Sequence, residues 1–189
     1  MSADHPSALD EARRVLQQAD CLHDAAAVNQ AYDRLANAIC RRYAASNPLM
    51  MCVMNGGLVP TAEICKRLDF PFEQDYLQAT RYRGATVGGG LVWKRQPQAE
   101  RIAHRNVLVI DDILDEGHTL VAIRKALQEF QPASLEVAVL AEKMHTRRVP
   151  EAHAEYIGLQ VEDRYVFGCG MDYKEYWRQL PAIYAVSET

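Results

Sequence analysis

Asp111, Asp112 and Asp115 place three carboxylates within five residues, and Glu116-Gly117-His118-Thr119 follows at once. Acids this close repel one another unless a cation or hydrogen-bond donors compensate. Such a cluster is suited to holding sugar hydroxyls, carrying a divalent ion and taking up a proton. Gly117 permits a backbone bend that side chains forbid. The segment after it has helical periodicity, so its first N–H groups point back toward the acids, an arrangement that suits phosphate. These residue types and spacings imply a ligand that is both polyhydroxylated and phosphorylated.

Other elements must hold these residues in place. Val107-Leu108-Val109-Ile110 precedes the acid pair, and an unbroken β-branched and leucine run reads as a strand buried on both faces, as in parallel sheets. Acids directly after it stand at the carboxyl edge of the sheet, where open α/β folds bind ligands. Beyond them Leu120, Ile123, Leu127 and Phe130 share one helix face, and Pro132 stops the helix. Leu135–Leu140 is the next parallel strand, reached by a crossover of ordinary length, with Lys143 at its end. His145, Arg147 and Arg148 read as surface charges.

Upstream, Leu49–Met54 is a second buried strand, followed by Asn55-Gly56-Gly57 and a helix that opens near Pro60 and runs to about Leu68. Taken alone, the Gly-Gly turn is more often a steric solution than a ligand loop. From Ala8 to about Ala45 the apolar residues recur at helical spacing, giving two helices with a break near Asp20–Asp24 and no identifiable chemistry. Phe72–Thr80 reads as a strand ending at Arg81-Tyr82, and Arg83–Gln96, with four glycines, as a loose hairpin. Gly88–Gly90 neither follows a strand nor opens a helix, which excludes a dinucleotide fingerprint. Tyr156–Val161 and Tyr165–Gly168 read as short strands, and Tyr165, Phe167, Tyr173 and Tyr176 as core aromatics.

Bulk properties narrow the class. At 189 residues and 49% hydrophobic, the chain can bury one sizeable core, and a single domain is the default. A net charge of −4 and a pI near 5.9 argue against non-specific nucleic-acid binding, which needs a basic face. Cys21, Cys40, Cys52, Cys65 and Cys169 are odd in number and lack a CxxC pair, as in a reduced thiol set. No apolar stretch approaches the ~20 residues that span a bilayer, and the N-terminus carries no signal-peptide pattern. The expectation is a soluble, cytoplasmic protein. The six histidines show neither HExxH nor paired Cys/His spacing, so no metal site made of protein side chains alone is expected.

The stretch VLVIDDILDEGHT, Val107–Thr119, resembles the diphosphoribose-binding motif of the type I phosphoribosyltransferases: hydrophobic strand, acid pair, two apolar residues, Asp, one residue, Gly, one residue, Thr. The run VEDRYVFGCGMDYKEYWRQLP resembles the purine-binding hood and C-terminal segment of the hypoxanthine-guanine members of that family. This resemblance implies an α/β fold with a parallel sheet of about five strands, helices on both faces and a small hood from the N- and C-terminal parts. One domain, 1–189, would comprise N-terminal helices (1–46), a core (47–145) and a hood with the C-terminal segment (146–189). The implied reaction is magnesium-dependent purine salvage: hypoxanthine or guanine displaces pyrophosphate from phosphoribosyl pyrophosphate, giving IMP or GMP. Homodimers or homotetramers are implied, with no nucleic-acid or membrane partner.

The same resemblance implies roles for individual residues. Asp115 is the general base at purine N7. Asp111 and Asp112 accept from the ribose 2′- and 3′-hydroxyls, directly or through magnesium-bound water. The amides of Glu116, Gly117, His118 and Thr119, with the Thr119 hydroxyl, cradle the 5′-phosphate. Asn55 and Gly56 fall in the pyrophosphate loop, and Lys143 contacts the purine 6-oxo group. Tyr165 stacks on the base while the Val166 carbonyl accepts the exocyclic amine of guanine. Asp172 is a candidate magnesium ligand beside Asp111 and Asp112, and Arg178 a partner for pyrophosphate. Arg81 and Tyr82 open a loop that closes over the reacting centre, with Trp93 and Lys94 to cover it.

Four residues depart from the family pattern. Asn55 stands for lysine, which removes a charge, and Arg81 for serine, which could restore it. His118 stands for a basic or small residue. Glu116 stands for Thr or Ser and brings a carboxylate near the phosphate, repulsive unless it points outward. Three other readings share part of the pattern. A non-catalytic regulator of the same fold would bind nucleotide and nucleic acid, against which stand Asp115 and the acidic balance. A phosphate-accepting receiver domain also has a strand followed by an acid pair, but there the pair follows the first strand, whereas here about a hundred residues precede it. A transferase for another base, such as xanthine, is the closest competitor.

Overall fold

The computed structural model describes residues 7–81 and 91–188, with the side chains of Arg81 and Leu91 left out of that description. In chain order the elements are α1 (Ala8–Gln18), β1 (Asp20–His23), α2 (Ala25–Tyr43), β2 (Leu49–Val53), α3 (Leu58–Cys65), β3 (Glu73–Arg81), β4 (Leu91–Arg95), α4 (Ala99–Ile102), β5 (Asn106–Leu114), α5 (His118–Gln128), β6 (Ser134–Lys143), β7 (Tyr156–Val161), β8 (Val166–Phe167) and β9 (Ile183–Ala185).

Local chemistry explains where the N-terminal helices begin. Ser7 accepts from the Asp10 amide to open α1, and Asp24 accepts from the Ala27 amide at 2.8 Å to open α2. The break between them is more than a turn. It holds β1, which pairs antiparallel with β9, and β9 pairs with β8. This three-stranded sheet, β1-β9-β8, joins the two ends of the chain.

Among the described residues the central sheet has six strands in the order β4-β3-β2-β5-β6-β7. The run from β3 to β7 is parallel, as expected, and β4 is an antiparallel edge. Of the loose hairpin expected over Arg83–Gln96, residues 83–90 lie outside the described residues, and Leu91–Arg95 is a strand that pairs antiparallel with β3. Trp93 lies opposite Ala79 and packs its partly buried ring on the core, while Lys94 is exposed. Part of the stretch expected to form the hood and C-terminal segment, 146–189, belongs to the central sheet. Tyr156–Val161 is the outermost strand of the central sheet, covering the edge that β6 would otherwise leave bare.

Val107–Ile110 lie at the centre of this sheet and are at most 1% exposed. Leu108 and Ile110 pack with Val28, Tyr32, Leu35 and Ile39 of α2 on one face. Val107 and Val109 pack with Leu120, Ile123 and Leu127 of α5 on the other. Strand lengths then shape the site. β2 follows β5 only as far as Cys52↔Ile110, whereas β6 follows it to Leu114↔Glu142. Beyond Ile110 one side of β5 stays paired and the other opens into a notch. The acid pair therefore sits inside the strand, at that notch, not after the strand's end as the apolar run suggested.

Candidate active site

Two short hydrogen bonds shape the backbone at the notch. The Asp112 amide donates to Asp111 Oδ1 at 2.9 Å, and the Ile113 amide donates to Asp112 Oδ1 at 2.7 Å. The facing pattern changes phase here: Ile113 packs with the cluster of Leu108 and Ile110, and Leu114 with that of Val107 and Val109. Two glycines close in on the pair. A Cβ on Gly56 would overlap the Asp112 carboxylate, and one on Gly170, at φ +108°, would overlap the Gly56 carbonyl. The β2–α3 turn and the 168–171 segment thus meet at Asp112. Burial and the neighbouring Asp112 charge push the Asp111 carboxyl well above the usual range, and burial raises that of Asp112. Arg178 opposes the rise at both.

The turn into α5 forms the second part of the site. Gly117 sits at φ +83° as its N-cap, with no side-chain cap, so the first-turn amides are available to an anion. A Cβ there would also overlap Ala152. A cavity of about 720 Å³ opens in front, lined by Thr80, Asp111, Asp115 and the segment from Glu116 to Leu120. The Glu116 carboxylate is half exposed and faces Arg147 Nε at 3.6 Å and His118 Nε2 at 3.7 Å. The Arg147 charge offsets part of the repulsion that the Glu116 carboxylate would exert on a phosphate.

A second cavity, of about 280 Å³, is lined by Asp112, Asp115, Lys143, Tyr165, Val166 and Asp172, among others. Asp115 and Ile113 border both cavities. Lys143 Nζ donates to Asp115 Oδ2 at 2.7 Å, and His145 Nε2 lies 2.7 Å from Oδ1. Burial alone would raise the Asp115 carboxyl, but the Lys143 and His145 hydrogen bonds outweigh it and hold it below the usual carboxylate range. Val166 is paired with Ala185 in the antiparallel β8–β9 ladder. The Val186 amide donates to the Tyr165 carbonyl, so positions 165 and 167 point their backbone groups at β9, and Val166 points its own away. Because β8 is an edge strand, the Val166 carbonyl faces outward.

Residues 18–175 match the family model described as the phosphoribosyl transferase domain. The chain belongs to this family. The chain is 32% identical over 161 residues to the hypoxanthine-guanine phosphoribosyltransferase of Streptococcus pneumoniae, spanning 85% of this chain and 89% of that one. Identity is also 32% over 181 residues to the hypoxanthine-guanine-xanthine phosphoribosyltransferase of Tritrichomonas foetus, spanning 96% and 95%. The crystal structure of a hypoxanthine phosphoribosyltransferase from Staphylococcus aureus superposes with a TM-score of 0.84 at 26% identity, covering 91% of this chain and 94% of that one.

Against the expectations for a phosphoribosyltransferase site, the structure brings together Asp111, Asp112, Asp115, the Glu116–Thr119 turn, Lys143, Tyr165, Val166 and Asp172 around the two cavities. Asn55 is exposed on the turn beside Gly56. Asp172 accepts from the Glu175 amide at 2.7 Å and pairs with Arg178 at 2.7 Å, so the expected magnesium ligand and the expected pyrophosphate partner hold one another. Among the described residues no group of three or more His, Cys, Asp or Glu is placed to hold a metal. The backbone of Arg81 ends β3, and Tyr82 lies outside the described residues.

Three sequence expectations are corrected at this phosphoribosyltransferase site. Tyr165 is 53% exposed and meets Tyr173 edge-on, so it is not a core aromatic, whereas Phe167 is fully buried. His145 is not a surface charge: its side chain is 2% exposed against Asp115. Arg148 is also drawn inward, pairing with Glu142 at 2.5 Å and donating to the Lys143 carbonyl at 2.7 Å. Arg147 alone of the three is at the surface, paired with Asp163. A signal for His145 was available, since extended backbone puts i and i+2 on one side and His145 is two residues past Lys143.

Proposed function

We propose that this protein carries out purine salvage, transferring the ribosyl phosphate of phosphoribosyl pyrophosphate to hypoxanthine or guanine with release of pyrophosphate, in the presence of Mg2+. The observation that carries the reading is the position of Asp115, at the boundary between a cavity ending on a bare helix N-terminus and one bordered by Lys143, Tyr165 and Val166. A base in the second cavity and a ribose phosphate in the first would meet beside its carboxylate.

In this reading the 5′-phosphate rests on the Glu116–Thr119 amides and the Thr119 hydroxyl. Asp111 and Asp112 accept from the ribose hydroxyls. As N9 of the base attacks the sugar carbon, the C–O bond to pyrophosphate breaks and Asp115 takes the N7 proton. Asn55 and Gly56 lie where the pyrophosphate would sit, with Arg178 as the nearby cation. Two carboxylates whose charges are costly suit Mg2+, a hard ion that is held by one or two carboxylates plus substrate oxygens. The ion would supply neutralisation of the leaving pyrophosphate when bound.

Base selection follows from donor count. Lys143 has three N–H donors and spends one on Asp115, leaving others for a 6-oxo oxygen. The outward Val166 carbonyl suits the exocyclic amine of guanine. Adenine would set its 6-amino group against a residue that is only a donor, leaving both unpaired. Incubation of each purine with phosphoribosyl pyrophosphate and Mg2+, followed by ultraviolet absorbance, tests this. Hypoxanthine and guanine should be consumed and adenine refused, and xanthine in the same panel ranks the third 6-oxopurine. Failure with every base, together with tight nucleic-acid binding, would point instead to a regulator on the same fold.

A further inference from the structure

His145 lies two residues beyond the lysine of the base cavity, and its ring is packed inside while Asp115 itself is 42% exposed. The Arg147 amide donates to His145 Nδ1 at 3.1 Å. A nitrogen that accepts carries no proton, so the ring proton is on Nε2 and points along the 2.7 Å contact to Asp115 Oδ1. Lys143 holds the other oxygen at 2.7 Å. These two donors are not equivalent. Lys143 ends a flexible four-carbon stem and, on the reading above, also serves the 6-oxo group. His145 is anchored through its own ring to the backbone and has nowhere to swing.

We propose that His145 is a positioning residue for the transfer reaction: it clamps Asp115 Oδ1 so that the carboxylate keeps its orientation toward the purine while Lys143 engages the base. This rests on Asp115 being the base at N7. A carboxylate oxygen has two lone-pair sites, so each oxygen held by one donor still has one to receive the proton. Beside Asp115, the charged groups that face His145 are Lys143 and Arg147 on its own segment and Asp163 just past β7. Arg147 is bound bidentately by Asp163, at 2.6 and 2.8 Å, which keeps the amide that sets the tautomer in place.

His145→Phe keeps a ring and removes the donor, and His145→Gln returns an N–H on a side chain of similar reach. In the Phe variant kcat/KM for hypoxanthine should fall about tenfold or more, while KM for phosphoribosyl pyrophosphate stays within about twofold. A carboxylate that loses a donor is protonated more easily, so the acid limb of the kcat/KM profile should move to higher pH by roughly half a unit to one unit. Gln should recover most of both effects. A folded Phe variant with an unmoved acid limb overturns the proposal, as does a loss shared equally by both substrates. If Phe does not fold, His145→Asn, whose amide is too short to reach Oδ1, carries the same expectations. Asp115→Asn separates the two levels: full turnover in that variant sinks the reading of Asp115 itself. Lost turnover there beside wild-type behaviour in the Phe variant sinks only the clamp.

Discussion

Glu136, near the start of β6, accepts from Arg42 at 2.9 Å, from Tyr43 at 3.0 Å and from Tyr156 at 2.6 Å. Burial would raise its carboxyl, but these hydrogen bonds, Tyr156 first, outweigh it and hold it below the ordinary range. Asp111 and Asp112, toward the other end of the adjacent strand, are raised by burial, and Asp111 also by its neighbour's charge. Both regions put carboxylates on adjacent strands of the central sheet. Glu136 is satisfied by the chain itself and its work is structural. Each carboxylate of the pair receives one backbone amide, with the Arg178 charge nearby, and these do not cancel the rise. On the proposed reading a bound sugar or cation meets the rest of the demand. In this molecule a carboxylate's unmet demand marks function better than its burial does.

The comparison can be broken most forcefully at Asp115. Asp115→Asn should lower turnover by about 10²–10⁴-fold while phosphoribosyl pyrophosphate still binds, read by steady-state kinetics beside calorimetric titration. Unchanged turnover would remove it as the base. Next comes the pair. The Asp111→Asn, Asp112→Asn double variant should raise KM for phosphoribosyl pyrophosphate by about 10–100-fold. Its melting temperature at neutral pH should hold or rise, because a buried like-charge repulsion is gone. A clear fall in melting temperature would mean the pair is structural after all, and the contrast with Glu136 would collapse.

The smallest effect should come from Glu136→Gln, with the opposite signature. It should cost about 1–3 kcal/mol of stability, at roughly 2–4 °C per kcal/mol for a chain of this size, and leave both KM values alone. Its pH dependence has a definite sign. The folded-state carboxyl lies below the ordinary value of 4.5, so Glu136 contributes fully above about pH 4.5 and the contribution is lost as pH falls through the folded value. The melting gap between wild type and variant should therefore close in acid. A gap that persists there would assign the stability to packing and not to the charge.

Much of this was legible beforehand because fully buried parallel strands write themselves as apolar runs. Val107–Ile110 and Leu49–Met54 were readable for that reason, and the acids beyond the first could be placed at a sheet edge. How far β5 continues was not readable, since the length of an open notch depends on where β2 leaves, a property of two strands together. β1 escaped notice because its residues are mostly exposed or half-buried and its partner, β9, lies at the other end of the chain. That Trp93 packs on the core beside Ala79 was not readable either, since it follows from the pairing of β4 with β3. His145 was hidden by the habit of reading a histidine among arginines as surface. Only the fold brings it against a carboxylate 30 residues away.

A crystal of the protein grown with a purine nucleoside 5′-monophosphate and Mg2+ tests the central claim most directly. The ribose hydroxyls should lie on Asp111 and Asp112, the phosphate on the amides of Glu116–Thr119, and the base between Tyr165 and Asp115 with its 6-oxo oxygen toward Lys143. A ribose bound away from the acid pair, or a phosphate seated on any other turn, would contradict the account.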